Sequence, residues 1–264
     1  MELTGKVVVV TGAARGIGFA LAERFVAEGA AGVGIVDLDP ADCAAAAARL
    51  GARALDLAAD VSHEDEVVRV VERTVERFGP IDLFCSNAGI GAAQGIDAPD
   101  ELWQRIWDVN VMAHVYAARA VVPDMIERGG GYLLNTASAA GLLANIGDAP
   151  YTTTKHAAVG LAEWLSITYG DRGIKVSCLC PQGVNTAMIA SDPSGRATGT
   201  VAAQGVIEPE DVAQAVVEGL AAERFLILPH PEVATYQQRK AGDPDRWLAG
   251  MRRLQARFLG TGPA

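Results

Sequence analysis

The sequence predicts an α/β domain, a mainly parallel sheet carrying helices on both faces. Two observations carry that prediction. Short β-branched runs alternate with helical periodicity from one end of the chain to the other, with no linker or composition break between them. With 264 residues, 50% hydrophobic and 20% charged, the chain can fill one large core and has little of the composition of disorder. Right-handed crossovers between parallel strands then place successive helices on both sides of the sheet.

The elements follow in order. Residues 6–11, a valine run ending at Thr11, predict a buried first strand that leads into a glycine turn. Phe19, Leu21, Ala22, Phe25 and Val26 recur at helical spacing over 17–28, and Gly29 stops that helix. A second strand is predicted at 32–37, an alanine-rich helix at 40–50 and a third strand at 52–59. The amphipathic stretch 64–78 predicts a helix with Val67, Val70, Val71, Val75 and Phe78 inward. A fourth strand covers 81–86, and a long helix runs from about 99 to 125 with its break expected near Pro123. The fifth strand is placed at 131–137, before a helix at 150–169 whose first position is proline, where a missing N–H costs least. A sixth strand at 174–180, a helix at 209–223 and a short seventh strand at 224–228 complete the alternation. Residues 186–207 have the small, polar composition of a substrate loop. The tail, 232–264, carries Trp247, Leu248, Met251, Leu254 and Phe258 at helical spacing, which predicts a helix laid on something apolar. One domain is expected to span 1–264.

Composition excludes several function classes. A net charge of −10 argues against nucleic acid or an anionic membrane as partner. Cys43, Cys85, Cys178 and Cys180 form no Cys-x-x-Cys pair and suit reduced core positions, with Cys178 and Cys180 on one face of a strand. His63, His114, His156 and His230 are scattered, so no metal site is expected. The chain enters its first strand without a basic-then-apolar signal segment and has no apolar run of about 18 residues. A soluble cytoplasmic protein is the expectation.

Chemistry gathers at three places. The first strand runs into Gly12-Ala13-Ala14-Arg15-Gly16-Ile17-Gly18, where glycines let backbone approach a ligand and the following helix N-terminus can hold phosphate. The order departs from G-x-G-x-x-G, but the strand before and helix after meet the structural condition for a dinucleotide turn. Asp37, at the end of the second strand, stands where a carboxylate accepts bonds from an adenosine ribose and repels a 2′-phosphate, favouring NAD over NADP. Arg15 is the opposing hint. Tyr151 and Lys155 share a helix face, so a nearby ammonium is expected to lower the phenol from its ordinary pKa of ~10 toward acid–base work. Ser138 offers a hydroxyl to the same reacting oxygen. Tyr236 and Lys240 repeat the spacing without a preceding serine, and Tyr236 reads as a packing or exposed residue away from any cofactor edge.

Gly12, Gly16 and Gly18, then Asn87-Ala88-Gly89, Asn110, Ser138 and Tyr151-x-x-x-Lys155, in that order, resemble the short-chain dehydrogenase/reductase family over about residues 5–230. The resemblance implies a Rossmann-type, doubly wound fold with a seven-stranded parallel sheet, assembled as a homodimer or homotetramer. It implies Tyr151 as catalytic acid/base, Ser138 orienting the substrate oxygen, and Lys155 lowering the phenol pKa and binding the nicotinamide ribose. Asn110 would hold a water for proton relay. The cofactor would lie against Gly12, Arg15, Gly16, Ile17, Gly18 and Asp37, with Asp60 and Val61 at the adenine and Asn87, Ala88 and Gly89 beside it. Pro181, Gly183, Val184 and Thr186 would line the nicotinamide. Two departures stand out: Ser86 where the family often has asparagine, and Gln182 where it usually has glycine. The implied activity is NAD-dependent interconversion of a secondary alcohol and a ketone. Ile90, Ala139, Ala140, Leu142, Leu143, Met188 and Ile189 suggest a hydrophobic substrate such as a steroid, terpenoid or acyl-chain compound. The alternatives are an NADPH-dependent carbonyl reductase and a non-catalytic nucleotide-sensing protein on the same scaffold.

Overall fold

The computed structural model of the chain describes residues 1–190 and 205–259. Strand β1 (Val7–Thr11) is buried along its whole length, which is why it reads as an unbroken apolar run. It leads into α1 (Gly16–Ala27), and alternation continues through β2 (Gly32–Asp37), α2 (Pro40–Leu50), β3 (Ala54–Ala58), α3 (Glu64–Phe78) and β4 (Leu83–Ser86). The second half runs α4 (Asp100–Trp107), α5 (Ala113–Glu127), β5 (Gly131–Thr136), α6 (Ala149–Tyr169) and β6 (Ile174–Leu179). Strand β7 (Gly183–Val184) is followed by α7 (Ala187–Ala190), and β7 pairs with β8 (Val206–Ile207) apart from the main sheet. Helix α8 (Pro209–Ala221), strand β9 (Leu226–Ile227) and tail helices α9 (Glu232–Gly242) and α10 (Pro244–Leu259) follow. Most of the expected substrate loop at 186–207, and the end of the tail, lie outside the described residues.

The seven-stranded sheet has the order β3-β2-β1-β4-β5-β6-β9, with every pairing parallel. Successive valines of β1 face opposite sides. Val7 and Val9 join the core under α3, α5 and α6, while Val8 and Val10 join the core under α1, α2 and α8. This is the Rossmann-type, doubly wound single domain that the sequence predicts. The strand order reverses between β1 and β4, and that switch point opens a crevice at the strands' C-terminal ends.

Three expectations are corrected. The long helix breaks not at Pro123 but at a π-helical turn, Asp108–Met112, between α4 and α5. Pro123 stays inside α5 on its exposed side, where water can meet the carbonyl left without a donor. Val75 is 41% exposed, and the inward position belongs to Thr74, whose buried hydroxyl donates to the Val70 carbonyl at 2.8 Å. The tail forms two helices, because Asp243 caps α10 by accepting from Arg246 N–H (3.0 Å) and Pro244 takes its first position. Leu248 and Phe258 of α10 point outward. No described helix is long and apolar enough to cross a membrane.

Candidate active site

A cavity of about 1120 Å³ occupies the crevice. That exceeds the ~300–1,000 Å³ of a typical single-ligand site, leaving room for two molecules side by side. Its wall includes Gly12, Arg15, Gly16, Ile17, Gly18, Asp37, Asp60, Val61, Asn87, Ala88 and Gly89. Ser138, Tyr151, Lys155, Pro181, Val184 and Thr186 lie on the same wall. Of the catalytic and cofactor residues predicted from sequence, Asn110 and Gly183 are the two not on it.

The glycine turn is built for close approach. Gly12 has φ +64°, and a Cβ there would sit 2.9 Å from the Ala88 Cα. A Cβ on Gly18 would come within 2.1 Å of the Gly12 carbonyl oxygen, so the helix can pack onto the strand only with glycine. Arg15 precedes α1 in extended conformation and its side chain caps nothing, which leaves first-turn N–H groups for an anion. Thr11 locks this turn to the next. Its hydroxyl accepts from Asn87 N–H (2.9 Å) and Ala88 N–H (3.0 Å), and Asn87 Nδ2 donates to the Thr11 carbonyl (2.9 Å). Asp37 is fixed by N–H groups of Ala14 (3.0 Å) and Leu38 (2.8 Å), and its remaining lone pairs are free to accept from a ligand.

The hydroxyl, phenol and ammonium meet on the other side of the crevice. Ser138 follows β5 in extended conformation, and its Oγ accepts from Ala140 N–H (3.1 Å) and donates to the Pro181 carbonyl (3.4 Å). Asp148 caps α6 by accepting from Tyr151 N–H (3.0 Å) and also binds Ala92 and Ala93 N–H, both 2.8 Å. One aspartate thus sets the helix start and the loop across from it. Lys155, 2% exposed, donates from Nζ to the Thr136 carbonyl (3.0 Å) and lies 5.6 Å from the Tyr151 ring centre. Asn110 sits fully buried in the π turn beneath them. Its amide is engaged by both polar groups of Ile90's backbone (2.9 Å each) and by the Thr154 hydroxyl (3.1 Å).

Residues 6–197 match the family described as short chain dehydrogenase. The chain belongs to that family. A 1-deoxy-11-beta-hydroxypentalenate dehydrogenase of Streptomyces exfoliatus is 36% identical over 234 residues, which are 86% of this chain and 84% of that protein. The 3beta-hydroxysteroid dehydrogenase 2 of Eggerthella lenta is 36% identical over 190 residues, 70% of this chain and 73% of that protein. A crystal structure of a short-chain dehydrogenase/reductase from Burkholderia phymatum in complex with NAD superposes with a TM-score of 0.85 at 29% identity, covering 93% of this chain and 96% of that one.

The electrostatics of this short-chain dehydrogenase differ in one respect from the reading of its sequence. Tyr151 is held above its ordinary pKa, not below it. Desolvation by the surrounding protein outweighs the Ser138 hydrogen bond, and the Asp148 charge adds to the rise. Lys155 is itself pushed down to about 8, mainly by burial. Partial burial opposes the charge of Asp60, but hydrogen bonds from Ser62 and Arg105 win and lower it. Burial, then the Lys155 charge, push His114 down to about 3, so that ring is neutral behind the ammonium.

Several contributors escaped the sequence. His230, far along the chain, accepts from Gln182 N–H at Nδ1 (3.2 Å) and donates from Nε2 to the Gly183 carbonyl (3.1 Å), clamping the segment after β6. The tail helices also reach the site: Tyr236, Arg239, Trp247, Gly250, Met251 and Leu254 line the cavity. Tyr236, expected away from the cofactor edge, packs beside Trp247 on that wall with ring centres 6.4 Å apart. Of the expected apolar contacts, Ile90, Ala139, Ala140, Leu143 and Met188 line the cavity. Leu142 is buried in the core instead, and the Ile189 side chain lies outside the described ones.

Proposed function

We propose that this short-chain dehydrogenase is an NAD-dependent oxidoreductase that interconverts a secondary alcohol and a ketone on a hydrophobic small molecule. The observation that carries the proposal is the convergence of Ser138, Tyr151 and Lys155 on the cavity that the glycine turn and Asp37 also line. The residues fit the cofactor: Gly12 and Gly18 leave a surface that a Cβ would fill, and the start of α1 offers uncapped N–H groups. A nicotinamide dinucleotide, when bound, supplies the hydride acceptor or donor. Gly12, Gly16, Ile17 and Gly18 would hold its phosphates, Asp37 and Asp60–Val61 its adenosine, and Gly89, Lys155 and the 181–186 segment its nicotinamide end.

In oxidation Tyr151 takes the hydroxyl proton while Ser138 holds the same oxygen. In reduction Tyr151 returns that proton to the forming alkoxide. Lys155, mostly an ammonium at neutral pH, limits the cost of the phenolate. Asn110 fixes Ile90 and keeps the π turn in place below the pair; a water held there would extend the proton path. Because the phenol sits above its ordinary pKa, its ionised form is scarce at neutral pH. Alcohol oxidation, which starts from the phenolate, should therefore speed up as pH rises through the alkaline range. Ketone reduction, which starts from the phenol, should hold level and then fall. Rate profiles of kcat/KM measured in both directions check the opposite slopes.

Asp37 favours NAD, and the neighbouring Leu38 brings no cation for a 2′-phosphate. NADH should bind at least about tenfold tighter than NADPH, roughly 1.4 kcal/mol. Asp37→Asn, which keeps an acceptor for Ala14 N–H, should narrow that gap. Fluorescence titration measures both, and tighter NADPH binding would reverse the assignment. Arg15 on the same wall supports the second reading, an NADPH-dependent carbonyl reductase. A panel of apolar alcohols and ketones run with each cofactor tests the function itself; cofactor binding without any turnover would favour a nucleotide-sensing role instead. Trp164 and Ile167 stand 53% and 83% exposed on α6, an apolar face that supports assembly as a dimer or tetramer. The four cysteines are free and buried, which fits a reducing cytoplasm.

A further inference from the structure

The tail helices turn a mostly apolar face to the cavity. On α10, Trp247, Gly250, Met251 and Leu254 recur at helical spacing, and on α9 Tyr236 and Arg239 stand one turn apart. Arg239 is the one charged residue among these six. Its backbone carbonyl accepts from Asp243 N–H (3.2 Å), but its guanidinium has no hydrogen-bond or ion-pair partner among the described residues. The other charges on the wall are accounted for. Arg105 pairs with Asp60 at 3.1 Å, Asp37 and Asp148 accept backbone N–H groups, and Lys155 donates to Thr136. Arg15 sits at the glycine turn, the end proposed for the dinucleotide.

An apolar substrate filling this cavity would strip water from the Arg239 guanidinium. Left unmatched, that desolvation opposes binding; a planar carboxylate would offset it with paired, charge-assisted hydrogen bonds. With Arg105 paired to Asp60, Lys155 held at Thr136 and Arg15 at the glycine turn, Arg239 alone matches a singly charged carboxylate better than a dianionic phosphate. We propose that Arg239 selects substrates carrying a carboxylate on an apolar body, that is, hydroxy and oxo acids whose acid group lies apart from the reacting carbon. The substrate class rests on the alcohol–ketone reading above; the anion site does not depend on it.

The test is calorimetric binding of decanoate and of decan-1-ol to the protein, with and without saturating NADH. Wild type should bind decanoate at least about tenfold tighter than the alcohol. Arg239→Gln should erase that preference and leave the alcohol's affinity unchanged, while Arg239→Lys should keep part of it. Arg239 is exposed on α9, and thermal melting verifies that each variant is folded. Equal affinity for the two probes, a preference that survives Arg239→Gln, or no binding of decanoate would each overturn the proposal. Decanoate binding through Arg239 in a protein that turns over no alcohol or ketone keeps the anion site and removes the oxidoreductase reading. Turnover of neutral alcohols, together with decanoate binding that Arg239→Gln leaves unchanged, does the reverse.

Discussion

Tyr151→Phe is expected to lower kcat by about 10²–10⁴-fold, the usual contribution of a positioned acid–base group. Cofactor affinity should change little, because the ring stays and only the hydroxyl leaves. Stability should also hold, within about 1 kcal/mol, for a structural reason. The hydroxyl lost in the variant is bonded to Ser138, but Ser138 still accepts from Ala140 N–H and donates to the Pro181 carbonyl. No buried group is orphaned. Single-turnover rates with NADH titration and thermal melting separate the three effects. Wild-type turnover in the phenylalanine variant would remove Tyr151 from the chemistry. A large drop in Tm would instead make the residue structural. The alkaline rise in oxidation should vanish with the hydroxyl, since the titrating group is then gone.

What was legible in the sequence was local. The valine run of β1 is apolar on both faces, and the turn after it takes positive φ and close approaches that glycine allows, so strand, turn and helix were legible from nearby residues. Asp37 was readable because its place at the end of β2 follows from strand alternation alone. Three kinds of feature were not. The π turn at Asn110 inserts a local irregularity that a 3.6-residue pattern absorbs without trace, whereas Pro123 gave a false signal from the solvent side. Thr74 was not among the residues expected inward, because a polar side chain does not add to the apolar pattern, yet its own helix satisfies the hydroxyl. His230 acts through contacts 47 and 48 residues back along the chain, and Tyr236 shares a cavity wall with the glycine turn far upstream; no periodicity reports either. The break at Asp243-Pro244 is different: a cap residue followed by proline was present in the sequence and outweighed by the apolar spacing around it. The phenol's pKa direction was misjudged for a physical reason. A cation one helical turn away was weighed, but the desolvation of both groups could not be.

That desolvation sets the last expectation. Lys155→Met should reduce turnover by at least about 10²-fold and at the same time stabilise the fold. The ammonium is 2% exposed, has one hydrogen bond, to the Thr136 carbonyl, and is pushed from its ordinary 10.5 down to about 8. At neutral pH the native protein thus holds a proton under protest, at a cost on the order of 3 kcal/mol. Methionine keeps the buried stem and drops the charge, while leaving the Thr136 carbonyl unpaired returns about 1 kcal/mol. The net gain is then about 1–2 kcal/mol, a few degrees in Tm. The sign with pH is fixed by the same shift. Between the folded value of about 8 and the unfolded 10.5 the unfolded chain binds more protons, so wild-type stability from this group rises with pH across that window. The advantage of the variant should therefore be full below pH 8 and shrink toward 10.5. Melting curves of both proteins at pH 7 and pH 9.5 decide it: a variant that melts lower at pH 7, or a gap that widens with pH, contradicts the account. On the proposed reading, the charge that weakens the fold is the one that would limit the cost of the Tyr151 phenolate, so stability gained and turnover lost would be two measurements of one arrangement.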